Sequence, residues 1–438
     1  MDNCSKIHKI RGKRMNKNVS LAILGLSLAA TVGMTGCGKS ESAQFQPKLD
    51  TDAKVVVNTT GFFGNFEALD QVTNDFNVYY PNVEFSYEQV NAENFEGYLE
   101  ANPGVDIFMT SQETFEKMGD KLTEQCVDLT QEGIKVSDLE EDMLQMSYHN
   151  GKLTTIPMGQ NLYGLIVNVS LLEKEGLSVP NNYEEFIEVL AALKEKGYIP
   201  IQGPDTKVYA ELTESMAFDL ILKDKKLAES LTAGEESAVD ALLPVVDKLA
   251  DIIDNGYTDY AVNQTYPQDN YDQAILRFFE GDVPFWVCNT EKVSGMKKRE
   301  SKSEAFQANP FEYTYIYVPL GDKGVYAYSE PWFGFCVNKE ADDYEYAVEF
   351  MRFLATKDEI NKIADVKRVP SIAREKTDVE IYRDVLKPEK VEMQYVNDGT
   401  ITQPMISAWY TCMNRYATGE YTTPREAVEA FVELCSEE

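Results

Sequence analysis

Three short apolar runs, each followed by apolar residues at helical spacing, constrain this chain more than any other feature. Lys54 to Asn58 (KVVVN) is rich in β-branched residues and is broken by Gly61 and Gly64. Phe66, Leu69, Val72 and Phe76 then recur every three or four positions, as one face of a helix does. Val83 to Tyr87 alternates like a strand, Asn94 to Glu100 suits a helix, and Val105 to Met109 is a third strand leading into a helix over Gln112 to Met118. This order predicts an α/β architecture, a parallel sheet with helices on both faces. Ligands of such sheets sit beyond the carboxyl ends of the strands. Two loops fall there, Thr59 to Asn65 and Thr110 to Glu113.

The middle of the chain changes character. From Asn182 to Ile253 it reads as mostly helix, opened by Asn182 with Glu185 three residues on, a capping-box-like start. Strand patterns return at Val283 to Val287, Tyr313 to Val318 and Val325 to Val337, followed by a helix face of Ala347, Phe350, Met351 and Leu354. Thr423-Pro424-Arg425-Glu426 opens a last helix, with proline at its first position. A sheet unit interrupted by a helical block, with strands resuming afterwards, predicts two interleaved lobes. About 385 residues suffice for two lobes of ordinary size.

The N-terminus stands apart from the fold. Six Lys/Arg precede an apolar run, Val19 to Val32, which ends in Met34-Thr35-Gly36-Cys37. This is the pattern of a secretory signal, and the run is too short for a comfortable membrane span. Either Met1 or Met15 serves as the start, and Met15-Asn16-Lys17 would open a signal of ordinary length. The tetrapeptide resembles a bacterial lipobox, which implies cleavage before Cys37 and lipidation of that cysteine. Residues 1–36 are then the signal and 37–52 a polar tether. Losing the signal takes the net charge from −32 to −37. So acidic a chain argues against nucleic acid and against anionic lipid surfaces as partners. Cys126, Cys288, Cys336, Cys412 and Cys435 remain, an odd number without close pairs, and read as buried thiols rather than a disulfide framework or a metal site. No cofactor motif is present.

The segment His149 to Gly176 sets two apolar stretches, Leu153 to Ile156 and Leu162 to Val169, around Met158-Gly159-Gln160-Asn161. With its neighbours it carries a family resemblance. Val105 to Met109, the run NGK…IPM…LYGLIVNVSLLEKEGL with Pro180 to Phe186, Phe278 to Phe285, Trp332 to Val337, and Gln403 to Tyr410 occur in the order found in the extracellular solute-binding proteins of ABC importers, the cluster that includes maltose-binding protein. The chain resembles that family over nearly all of residues 53–438. The resemblance implies a two-lobe periplasmic-binding-protein-like fold with interleaved lobes joined by a hinge. It places the hinge at Ile156-Pro157-Met158, where proline pre-sets one backbone angle. Lobe 1 is expected to comprise 53–156 and 284–355, and lobe 2 157–283 and 356–438.

What the resemblance implies for function is capture of a sugar or oligosaccharide by hinge closure and delivery to the permease subunits of an importer. The protein would be a monomer on the extracytoplasmic face of the cell membrane, held there by lipidated Cys37. Sugars need amides and carboxylates for their hydroxyls and aromatic rings for their C–H faces. Phe62, Phe63 and Asn65 lie on the first sheet loop; the two phenylalanines stand where relatives carry a charged pair, favouring stacking over charge. Ser111, Gln112 and Glu113 lie on the second loop, and Glu113 matches a sugar-binding acid of the family. Gln160, Asn161 and Tyr163 border the hinge, with Asn161 at an acidic position of the family. Trp286, Asn289 and Thr290 follow the helical block, and Trp332 and Trp409 are expected platforms from opposite sides. Asp106 reads as structural.

An enzyme is the main rival class. Only His149 survives signal removal, outside any HExxH pattern, and neither G-x-S-x-G nor a P-loop is present. The expectation is a binding protein. A surface glycan-capture or sensing lipoprotein without a permease is the alternative.

Overall fold

The computed structural model describes residues 45–62, 67–204, 207–267, 270–377, 379–382 and 390–437. The expected signal segment, Cys37, Phe63 and Asn65 lie outside the described residues.

The first sheet has the strand order Val83–Gln89, Val55–Gly61, Ile107–Thr110, Gly334–Val337, Ile156–Pro157. Its first three strands are parallel, and Gly334–Val337 is antiparallel to both its neighbours. Both faces are covered, and the two-residue period of a strand shows in what each residue meets. Val57, Ile107, Met109 and Phe335 join a core with Val72 and Phe76 of the helix Glu67–Phe76, Phe350 and Leu354 of Tyr344–Leu354, and Ile360 of Lys357–Lys367. Phe108 and Cys336 face the other way, onto Phe95, Leu99, Phe115 and Leu122. Asp106 is fully buried and accepts the backbone N–H groups of Asn58 and Asp343, each at 2.7 Å. It ties the middle of the strand Val55–Gly61 to the start of the helix Tyr344–Leu354, the structural role its position suggested.

The second sheet runs Tyr313–Tyr317, Gln160–Asn168, Phe285–Asn289, Ile201–Gln202, with Ser329–Pro331 paired to the start of the long strand. Tyr163, Leu165 and Val167 face one core with Phe186, Leu212, Leu242 and Phe431 from the helices, and Leu162 and Ile166 face another with Phe278, Trp286 and Tyr315. Gly164 is required here, since a Cβ would lie 2.1 Å from the carbonyl oxygen of Ile316 on the paired strand.

The chain crosses between the sheets at 157–160 and returns at 331–334, the two segments side by side. Met158 N–H donates to the Phe333 carbonyl, Trp332 N–H to that of Gly159, and Gln160 N–H to that of Pro370, each at 2.9 Å. A third crossing follows Arg374, whose N–H still bonds to Asp138 of the first lobe, whereas Tyr382 packs on Tyr315 of the second. At Gly334 a Cβ would stand 2.5 Å from the Ile156 carbonyl, so glycine lets the two crossing strands meet.

Three expectations are corrected. The tether expected over 37–52 is docked on the first lobe where it is described: Phe45 packs edge-to-face on Tyr79 and Phe353, and Lys48 N–H donates to Glu349 at 2.9 Å. Residues 284–355 do not stay together. Phe285–Asn289 and Tyr313–Tyr317 flank Gln160–Asn168 in the second sheet, whereas Lys357–Lys367, expected in lobe 2, packs on Glu67–Phe76 with Lys362 paired to Asp75. Strand patterns tell that a segment pairs, not with which sheet. Nor is Val325 to Val337 one strand. It divides into Val325–Tyr326, Ser329–Pro331 and Gly334–Val337, because it passes from one sheet to the other.

Candidate functional site

The crossings bring the carboxyl end of the first sheet against the start of the second. On the first-lobe side, Ser111 caps the helix Gln112–Met118, its hydroxyl accepting from Thr114 N–H in a capping box. Ser111 and Gln112 share a small cavity with Trp332, Phe115, His149 and Gly334. Ser111, Gln112 and Trp332 are therefore brought together as expected candidates. Glu113 is exposed. His149 stacks on Phe115 with ring centroids 3.6 Å apart, and burial holds its imidazole down at about 4. Trp332, half-buried, also borders a second cavity of about 230 Å³ together with Tyr271, Asp272, Glu291, Lys292, Arg299 and Lys367. A cavity of about 260 Å³ at the Val169 end of the second sheet lies away from the crossings.

On the second-lobe side the candidates form one hydrogen-bonded network. Gln160 Nε2 donates to Ser329 Oγ at 2.8 Å. Thr290 Oγ1 receives Leu162 N–H at 3.0 Å and donates to the Gln160 carbonyl and to Asn161 Oδ1. Asn161 Nδ2 donates to the Tyr163 hydroxyl at 3.0 Å, and that hydroxyl donates to Glu330 Oε1 at 2.5 Å. Tyr328 donates to Glu330 Oε2 at 3.2 Å. Deeper in the wall, the Tyr410 hydroxyl donates to Glu214 Oε2 at 2.7 Å, while Glu214 Oε1 is buried without a hydrogen-bond partner among the described residues. Burial pushes the Glu214 carboxyl well above the usual carboxylate range, and raises Glu330 against the hydrogen bonds from Tyr163, Tyr328 and Asn161 that lower it. The lobes touch where Glu116 Oε2 accepts Gln403 N–H at 3.0 Å, at the start of the helix Gln403–Ala417.

Several candidates are corrected. Trp409 is fully buried in the second-lobe core, edge-to-face with Phe431 at 4.9 Å, its Nε1 donating to Thr213. It offers no face to a solute. Trp286 is also fully buried, donating to the Tyr271 hydroxyl at 3.2 Å. Phe62 packs edge-to-face on Phe95 at 5.3 Å and is partly buried among first-lobe side chains. Asn289 caps the short helix Thr290–Val293. Gln160, Asn161 and Thr290 lie at the crossing, but bonds within the lobe occupy their side chains. The sequence reading missed Glu330, Glu214, Tyr328 and Tyr410. Two signals were there. Glu330 stands two residues before Trp332, and the apolar stripe Met405, Ala408, Trp409, Cys412, Met413 assigns Trp409 to the core and leaves Tyr410 beside it.

Among the described residues, no group of His, Cys, Asp and Glu is placed to hold a metal ion, and no helix is long and apolar enough to cross a membrane.

The sequence profile of the bacterial extracellular solute-binding proteins matches residues 71–388. No curated protein is similar enough in sequence to match the chain. Among solved structures, a chitin oligosaccharide binding protein superposes with a TM-score of 0.66 at 18% identity, covering 88% of this chain and 98% of its own. The GacH receptor of Streptomyces glaucescens, solved unliganded and with acarbose, gives 0.64 at 16% over 87% and 97%. The solute-binding protein RafE in complex with raffinose gives 0.62 at 14% over 87% and 100%. These likenesses establish the two-lobe fold.

Proposed function

The chain belongs to the bacterial extracellular solute-binding proteins, and from that premise we propose that it captures a sugar or oligosaccharide between its lobes and delivers it to an ABC permease. It does so from the outer face of the cytoplasmic membrane, to which Cys37 is lipid-anchored. The family is one of binding proteins, so this chain is a binder and not an enzyme.

The observation that carries the saccharide reading is the half-buried Trp332 on the second crossing. It borders both cavities at the lobe junction, one lined with the hydroxyl of Ser111 and the amide of Gln112 and the other with the carboxylates of Asp272 and Glu291 and the cations Lys292 and Arg299. A ring face among hydroxyls, amides and carboxylates is the surface a sugar needs, since its C–H faces stack and its hydroxyls exchange hydrogen bonds. Solved relatives in complex with raffinose and with acarbose support the class.

Thermal unfolding of the protein, refolded to strip carried-over ligand, tests the reading against a panel of mono- and oligosaccharides. A ligand at 100 times its Kd stabilises by about 2.7 kcal/mol, a shift of several degrees. No shift with any saccharide refutes the assignment and leaves the fold standing. Labelling of the full chain by radioactive palmitate, abolished in Cys37→Ser, tests the anchor.

A further inference from the structure

The wall of the second lobe holds more acid than a neutral sugar requires. Glu330 and Glu214 lie close enough to act on one another, and Glu211 and Glu116 add negative charge from either side. Among the described residues, every side chain bonded to Glu330 or Glu214 is a neutral donor, namely Tyr163, Tyr328 and Asn161 on the first and Tyr410 on the second. The cations at the lobe junction, Lys292, Arg299 and Lys367, gather instead around Tyr271, where Arg299 pairs with Asp272. Glu214 is fully buried, and its Oε1 has no partner among the described residues.

A buried acceptor without a donor is costly, and a buried carboxylate without a counter-charge more so. The group either holds a proton or awaits a cation. A metal ion is disfavoured, since the described residues offer no suitable ligand set. An organic ammonium needs only acceptors and an aromatic edge, and cations are drawn to tyrosine rings. Both are here, with Glu330 and Tyr410 half-buried at the surface of the cluster and Glu214, Tyr163 and Tyr328 beneath them.

We propose that the captured solute carries a protonated amine, seated on Glu330 and the Tyr410 ring with the unpaired oxygen of Glu214 accepting a further N–H. The inference rests on capture between the lobes and narrows the solute to a basic one, an amino sugar rather than a neutral glycan.

Calorimetry on the full chain at pH 7 tests it with the glucosamine trisaccharide, its N-acetylated counterpart, and spermidine as an amine without a sugar ring. The free amine is expected to bind at least tenfold tighter than the acetylated form, and more weakly as salt is raised. Glu330→Gln and Glu214→Gln are expected to collapse that ratio towards one. Glu330 is half-buried, so its variant keeps the test open if Glu214→Gln fails to fold. Equal or tighter binding of the acetylated form overturns the amine and leaves saccharide capture intact. Spermidine binding that depends on Glu330, with no response to any sugar, upholds the amine and refutes the saccharide. If neither amine probe binds, the proposal falls.

Discussion

Replacing Trp409 separates a core residue from a ligand platform. The side chain is fully buried, lies edge-to-face on Phe431 at 4.9 Å and donates to Thr213 at 3.2 Å. Trp409→Ala removes a whole indole from a close-packed interior, a change that costs about 3–5 kcal/mol from lost burial and the cavity left behind. At about 2 °C per kcal/mol for a unit the size of one lobe, the unfolding midpoint should fall by about 6–10 °C. Trp409→Phe keeps most of the apolar volume and loses the Nε1 hydrogen bond, so about 1 kcal/mol is expected from that bond. Scanning calorimetry reads both values, and calorimetric titration with a stabilising saccharide reads affinity. In Trp409→Phe the affinity should stay within twofold of wild type. A midpoint unchanged within 2 °C in Trp409→Ala, with solute affinity lost tenfold, would refute the reasoning and restore the platform.

Trp332 should behave in the opposite sense. Half-buried at both lobe-junction cavities, it is expected on Trp332→Ala to lose solute affinity by at least tenfold while the ligand-free midpoint moves by less than about 3 °C; equal affinity would remove it from the site. His149 predicts a pH dependence. Burial lowers its folded pKa to about 4 from the ordinary 6.5, so the unfolded chain binds the extra proton between those values. Its contribution to stability is complete above pH 6.5 and lost as pH falls towards 4. His149→Phe, which keeps a ring against Phe115, should flatten the denaturation midpoint over that range relative to wild type, and parallel curves would refute the assignment.

Much of the fold was legible in local pattern. The three β–α units appear where spacing predicted them, and the strand Val83–Gln89 and the helix Gln112–Met118 match the apolar periods that announced them. Thr423 and Glu426 form the expected capping box, and Asn182 accepts from Glu185 N–H at 3.0 Å. These signals act over one to four residues, the range of a hydrogen-bonded turn or a pleat, so the chain states them by itself. The site was legible only in part. Ser111, Gln112 and Trp332 do converge, but Trp286 and Trp409 turned into the core, where helix period and sheet partner sent them. Glu330 receives the Tyr163 hydroxyl across 167 positions, and Glu214 that of Tyr410 across 196. Which sheet takes Phe285–Asn289 was likewise settled by pairing with the distant Gln160–Asn168. The sequence by itself determined the elements, their caps and their order. Only the tertiary structure decided which lobe each joined and which acids went unpaired, because a strand's partner and a buried charge's environment are supplied by segments far along the chain.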